Sequence, residues 1–278
     1  MKPSRVVLIT GCSTGIGRAL SEEFHRRGHR VVATARRIES IADLGSKGIA
    51  TFQLDVTNRA DAERVIASIL SSEKRIDTLV NNAGFGLIGP ALDISEEELI
   101  AQLQTNVIGP HTMTRLVAPS MRTNGGGTIV NIGSISGLVT TPFAGAYCAS
   151  KAAFHALSEA LRMELEPFGI HVVTVQPGGI ASNFGIASGK TAGRILKEDS
   201  WYAPLRKQIQ ERAGISQIGA MGSEEFARKL VDVLDSPKPP AVIRFGKRSF
   251  SLPFIKWALH TSLFDAVMRR QFGLNRLP

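Results

Sequence analysis

Short β-branched runs alternate with amphipathic stretches through the first two-thirds of the chain, and this alternation limits the fold more than any other feature. Apolar runs fall at residues 5–10, 30–35, 49–54, 78–81, 128–132 and 171–176. Between them, apolar residues recur at helical spacing near 15–27, 58–73, 96–121 and 147–168. Strands that are apolar almost throughout must be covered on both faces, as in a parallel sheet between two helix layers. Right-handed crossovers then predict an α/β, doubly wound, Rossmann-type sheet. No repeat and no linker divides the 278 residues, so one domain over 1–278 is expected.

After Pro177 the pattern loosens. Residues 179–222 are rich in Gly, Ser and Ala, with one helix expected near 204–212, and read as a substrate loop. A helix near 224–234 and a strand at 241–245 return to the scaffold. The extension 246–278 carries an amphipathic helix over 253–272, with Phe254, Trp257, Leu263, Phe264, Val267 and Met268 among its apolar residues.

Hydrophobic content of 43% and charged content of 21% describe an ordinary soluble globular protein. The opening apolar run leads straight into a glycine loop, so it reads as a buried first strand and not as a signal peptide. No run of about 18 strongly apolar residues argues for a spanning helix. Cys12 and Cys148 make no disulfide framework, and no Cys/His cluster has metal-ligand spacing. Both thiols are expected to be buried and inert, in a reducing, cytoplasmic setting. The net charge of +9 is concentrated in the tail, where residues 237–278 hold eight Lys or Arg against Asp265 alone. Such a tail suits an anionic membrane surface or is only a solvated face. No nucleic-acid-binding module accompanies it, and no nucleic-acid partner is expected.

Three residues in an otherwise uncharged stretch carry the chemistry: Ser134, then Tyr147, then Lys151 four positions later. On a helix, Tyr147 and Lys151 share a face. A nearby ammonium lowers a phenol pKa toward the working range, and Ser134 is placed to polarise a carbonyl oxygen. A tyrosine packed at a helix start beside an unrelated lysine explains the same residues about as well.

Upstream, Thr10 and the loop Gly11, Cys12, Ser13, Thr14, Gly15, Ile16 and Gly17 follow the first strand and open a helix. Glycines there let backbone approach a pyrophosphate at a helix N-terminus, so a dinucleotide is expected. At the end of the second strand, where an NAD site usually has an acid, stand Arg36 and Arg37. A guanidinium binds a 2′-phosphate that a carboxylate would repel, which favours NADP(H) over NAD unless both arginines only face solvent.

Together these segments resemble the short-chain dehydrogenase/reductase family. The likeness runs through Thr10–Gly17 (TGxxxGIG), Asn81-Asn82-Ala83-Gly84, Asn106, Ser134, Tyr147-Cys148-Ala149-Ser150-Lys151 (YxxSK) and Pro177-Gly178. It implies a catalytic set of Asn106, Ser134, Tyr147 and Lys151. In it the tyrosine exchanges a proton with the substrate oxygen and the serine hydrogen-bonds that oxygen. The lysine holds the nicotinamide ribose and lowers the tyrosine pKa, while the asparagine supports a proton relay. The resemblance further implies that Asp55 and Val56 meet adenine and that Asn82, Ala83 and Gly84 line the cleft. Pro177, Gly178, Ile180 and Ser182 are implied near the nicotinamide, with Ser182 where threonine is common and Gln176 where Asn or a small residue is frequent.

Within the family, the segments around Gly11–Gly17, 142–170 and 177–180 look most like the 17β-hydroxysteroid and retinol dehydrogenase branch. That implies a lipophilic alcohol or ketone such as a steroid, retinoid or fatty compound. A 3-oxoacyl reductase is the nearer rival, and a non-catalytic NADP-sensing regulator the more distant one. The tail then caps a greasy pocket, lies peripherally on a membrane, or only packs on the domain. Ala149, Ala152, Ala153, Ala156 and Ala160 give the helix after Tyr147 a small face. By the resemblance this face and the preceding long helix form a homodimer or homotetramer interface, and packing within one subunit explains the alanines nearly as well.

Overall fold

The computed structural model describes residues 4–236 and 238–278. Its elements run β1 (Val6–Ile9), α1 (Gly15–Arg26), β2 (Arg30–Ala35), α2 (Ala42–Ser46), β3 (Ala50–Gln53) and α3 (Arg59–Glu73). They continue through β4 (Thr78–Asn81), α4 (Glu96–Leu103), α5 (Gly109–Thr123), β5 (Gly127–Ile132), α6 (Gly145–Leu165) and β6 (Ile170–Val175). The last third holds α7 (Phe184–Ile195), α8 (Arg206–Gly214), α9 (Ser223–Leu234), β7 (Val242–Ile243), α10 (Ser251–Ala258) and α11 (Thr261–Gln271).

All neighbouring strands are parallel, in the order β3-β2-β1-β4-β5-β6-β7. Strand residues alternate between two cores, as the pleat requires. Val7, Ile9, Val31, Ala33, Val80 and Val130 pack against Leu20 and Phe24 of α1 and Phe226 and Leu230 of α9. Val6, Leu8, Val32, Leu79 and Ile129 pack against Val65 and Ile69 of α3 and Met113 and Val117 of α5. Near-continuous apolar strands are thus explained by helices on both faces. The order reverses between β1 and β4, which opens a crevice at their carboxyl ends where such sheets bind ligands.

Local chemistry sets the element ends. Asn58 caps α3 by accepting from the amides of Ala60 and Asp61, and Ser95 with Glu98 closes a capping box on α4. The expected single helix over 96–121 is interrupted by a π-helical turn at Gln104–Ile108. Pro110 has no N–H to give the carbonyl four residues back, that of Asn106, so the regular ladder cannot run through. Such turns concentrate at functional sites, and this one holds Asn106.

Two expectations differ downstream. The loose 179–222 segment contains α7 as well as α8, and the tail forms two helices instead of one. The break falls at Leu259 and His260, whose backbones are extended, and His260 caps α11 by accepting from the amide of Ser262. A third core joins these parts: Ile88, Val139, Phe143 and Cys148 meet Leu205, Ile209, Phe264, Met268 and Phe272. The inward face of α11 is therefore a wall of the domain. In contrast, Phe250, Phe254 and Trp257 around α10 face outward.

Candidate active site

The carboxyl ends of β1, β4, β5 and β6 open onto one cavity of about 680 Å³. Gly11, Ser13, Thr14, Gly15 and Ile16 line its first half. The amides opening α1 have no side-chain cap and no acid in the first turn, which leaves them for an anion. Gly15 has φ +61°, and a Cβ there would fall 2.8 Å from the Cβ of Ser182. Gly17 lies beneath the loop, where a Cβ would come 2.5 Å from the Gly11 carbonyl and collide with the Asn82 amide. Asn82 Nδ2 donates to the carbonyls of Thr10 and Gly11, both at 2.9 Å, which fixes the turn. Thr10 Oγ1 accepts from the amides of Asn82 and Ala83 at 3.0 and 3.1 Å. This cradle, closed to any side chain and rimmed by free amides, fits a dinucleotide pyrophosphate.

Arg36, Asp55 and Val56 line the same half. The Asp55 carboxylate is oriented by the amide and hydroxyl of Thr57, at 2.9 and 2.7 Å. Arg37 is exposed and does not line the cavity, so the structure brings only one of the two arginines to it. Ala83, Gly84, Pro177, Gly178, Ile180 and Ser182 complete the cleft. Gln176, behind Pro177, accepts from Arg244 Nε at 2.7 Å and so ties β6 to the segment after β7.

In the second half, Ser134 follows β5, Tyr147 and Lys151 stand one turn apart on α6, and Asn106 sits in the π turn. All four are buried. Asn106 Nδ2 donates to the Phe85 carbonyl and Ser150 Oγ, both at 3.0 Å, and its Oδ1 accepts from the Phe85 amide. Asn106 and Lys151 flank Gly84, where a Cβ would meet Asn106 Oδ1 at 3.0 Å and Lys151 Nζ at 3.8 Å. The Lys151 ammonium donates to the Ile132 carbonyl at 2.8 Å.

Burial dominates the electrostatics. It pushes the Tyr147 phenol up to about 12, against the Ser134 hydroxyl, which pulls it down, and the Arg212 guanidinium, which does so more weakly. It pushes Lys151 down to about 8. The expected lowering of Tyr147 by Lys151 therefore differs from what the structure shows. Lys151 is engaged with a backbone carbonyl, and desolvation disfavours phenolate by more than the neighbours restore. At neutral pH Tyr147 holds its proton, the state needed to protonate a carbonyl oxygen. Burial likewise raises Cys12 to about 11 and raises Cys148, which leaves both as protonated thiols.

A nicotinamide bound in this cleft supplies or accepts hydride directly at carbon. For such a transfer the arrangement offers a phenol, Tyr147 Oη, able to exchange one proton, and a hydroxyl, Ser134 Oγ, able to hold an oxygen. Among the described residues no cluster could hold a metal ion.

Several cavity residues escaped the sequence pattern. The Phe184 ring lies 5.3 Å from that of Tyr147, and Arg212 donates to Thr141 Oγ1 from Nε (3.1 Å) and Nη2 (2.7 Å). Gln217 Oε1 accepts from the Ser182 amide at 2.9 Å. Phe184 carries no periodic signal in its Gly/Ser/Ala-rich surroundings. Arg212 ends the helix expected near 204–212, and no motif around it marks it.

Comparison with known proteins agrees with this geometry. The family model for short chain dehydrogenases matches residues 5–192. A 3-ketodihydrosphingosine reductase of Bacteroides thetaiotaomicron is 35% identical over 262 residues, covering 91% of this chain and 94% of that protein. The crystal structure of a short-chain dehydrogenase from Streptomyces avermitilis superposes with a TM-score of 0.81 at 30% identity, over 99% of this chain and 98% of that one. The closed form of serine dehydrogenase complexed with NADP+ gives 0.75 at 30% identity, over 87% of this chain and 94% of that one.

Proposed function

The chain belongs to the short-chain dehydrogenase/reductase family, and on that premise we propose that it uses NADP(H) to interconvert a ketone or aldehyde with its alcohol on a lipophilic small molecule. It is an oxidoreductase that moves hydride between a nicotinamide dinucleotide and a CH–OH or C=O carbon. The finer reading is supported chiefly by one observation: Tyr147, Ser134, Lys151 and Arg36 line one cavity together with a set of apolar side chains. Ile88, Val139, Phe184, Ile215, Leu252 and Met268 are among those side chains. The dinucleotide of a structural relative is NADP+, and a sequence relative is named for a ketodihydrosphingosine. The likeness to the 17β-hydroxysteroid and retinol branch is part of this proposal. The reductive direction is proposed for conditions in which NADPH is abundant.

A panel of steroids, retinoids, aliphatic ketones, 3-oxoacyl thioesters and ketodihydrosphingosine, run with NADPH and with NADH, tests the reading. We expect turnover of a lipophilic carbonyl, with NADPH preferred by about tenfold or more, the scale of one charge-assisted contact. Preference for NADH, or turnover confined to small hydrophilic carbonyls, would overturn it. Best turnover with 3-oxoacyl thioesters would favour the fatty-chain reductase.

We further propose a homodimer or homotetramer built on α6 with α4 and α5. Ala149, Ala152, Ala153 and Ala156 are exposed, so packing within the subunit does not account for them. Ile100, Ile108 and Met163 stay exposed on the same three-helix region. A cytoplasmic location is proposed with it. Among the described residues no helix is long and apolar enough to cross a membrane. The outward Phe250, Phe254 and Trp257, in a basic tail, support peripheral contact with an anionic membrane.

A further inference from the structure

Arg212 is not accounted for by hydride transfer. Its guanidinium lines the cavity from α8, 5.9 Å from the centroid of the Phe272 ring, in a wall shared with Ala213 and Met268. Its hydrogen bonds go to the neutral hydroxyl of Thr141. Among the described residues no carboxylate pairs with it, and burial lowers its pKa, which marks the charge as poorly compensated. A guanidinium has five N–H donors, so donors remain for a ligand. A half-buried cation without a counter-ion is costly unless something supplies one.

The rest of the cavity points the same way. Arg36, Lys151, Arg212, Lys247 and Arg248 line it, against Asp55 as the one acid among its described lining residues. Arg36 and Asp55 belong to the dinucleotide half, which leaves the substrate half without negative charge. Arg212 and Tyr147 line the same cavity, so an anion on the guanidinium and a carbonyl on the phenol share one chamber. The neighbouring α7 adds Ser188, whose buried Oγ has no hydrogen-bond partner and whose residue also lines the cavity.

We propose that Arg212 is a substrate-anion subsite: the substrate presents a carboxylate or phosphate to the guanidinium while its carbonyl meets Tyr147 and Ser134. Val139, Leu252 and Met268 take the apolar remainder. The inference rests on the hydride-transfer reading above and narrows its substrate class to amphiphilic oxo acids or oxo phosphates. A ketone with an ammonium group at that position is repelled.

The test uses the full-length Tyr147→Phe protein saturated with NADP+, which has no hydride to give a carbonyl, so each oxo compound binds without being reduced. Calorimetry compares a medium-chain β-oxo acid with its methyl ester, and an acylated dihydroxyacetone phosphate with its dephosphorylated parent. We expect the anionic member of at least one pair to bind about tenfold tighter or more, as a charge-assisted bidentate contact implies. The pair that shows it separates carboxylate from phosphate. Adding Arg212→Gln, which keeps a donor for Thr141, should reduce the preference to about twofold or less, and Arg212→Lys, which keeps the charge without the bidentate fork, should fall between the two. Equal binding within both pairs, tighter binding of the neutral member, or a preference that survives Arg212→Gln would overturn the subsite. Wild-type turnover is read separately. Anion preference without turnover of any pair would leave the subsite standing and count against the hydride-transfer reading.

Discussion

At Tyr147 burial and function act together. A phenol pushed up to about 12 keeps its proton at neutral pH, and in the proposed reduction it would release that proton as the carbonyl oxygen gains electron density. Tyr147→Phe should cut turnover by about 10²–10⁴-fold, the usual share of general acid–base catalysis, while stopped-flow fluorescence still shows NADPH binding. Near-normal reductase activity in that variant would refute the mechanism. Lys151 makes a complementary prediction about stability. Its folded pKa of about 8 lies below the unfolded 10.5, so between these values the unfolded chain holds the proton that the folded chain has shed. Stability attributable to this group therefore rises with pH, by about 2 kcal/mol between about pH 8 and 9.5. Urea unfolding of wild type and Lys151→Met isolates it from the other titrating groups: the wild type should gain on the variant across that window, and parallel pH profiles would refute the assignment. The grouping of these residues was legible through the family resemblance, whereas residue type and spacing alone left ordinary packing of Tyr147 and Lys151 an equal reading. The direction of the Tyr147 shift was not legible, since desolvation depends on everything packed around the ring.

Helices and strands were readable in proportion to their periodicity. The strands, and α1, α3 and α9, lie within a residue or two of expectation, and α6 within three, because alternating cores demand apolar residues at fixed intervals. The π turn at Gln104–Ile108 leaves only an indirect trace, a proline four residues after Asn106. Helix α7 left none, because its Gly, Ser and Ala read as loop. Phe143, at φ +63° and buried just before α6, is strained backbone held by its packing: its ring meets Tyr202 at 6.0 Å and Phe272 at 6.4 Å. The tail therefore braces the entry to the catalytic helix. Deleting residues from Ser251 onward removes Phe264, Met268 and Phe272 from the third core, each worth about 1.5–3 kcal/mol of burial. We expect a lower melting temperature and a KM for lipophilic substrates raised about tenfold or more, with NADPH affinity little changed. An unchanged KM would restrict α10 and α11 to a role away from the substrate.

Over the whole molecule, the doubly wound sheet followed from alternation and handedness alone, since right-handed crossovers leave few orders for parallel strands. Surfaces were less legible: exposure of the α6 alanines is a property of the packed chain, and the sequence fits a covered face equally well. Light scattering on the purified protein should give two or four times the mass of the 29.9 kDa chain. A charge placed in that face, as in Ala153→Glu, should shift the mass toward the monomer. A monomeric wild type would rule out the assembly.

Where the aromatic residues lie has an optical consequence. The chain has two tryptophans, Trp201 and Trp257, and they are 80% and 81% exposed. Native emission therefore already resembles that of indole in water, so denaturant brings little red shift and soluble quenchers reach both rings in the folded state. Docking of α10 on lipid vesicles would instead move Trp257 emission to the blue, against a background that unfolding leaves nearly still.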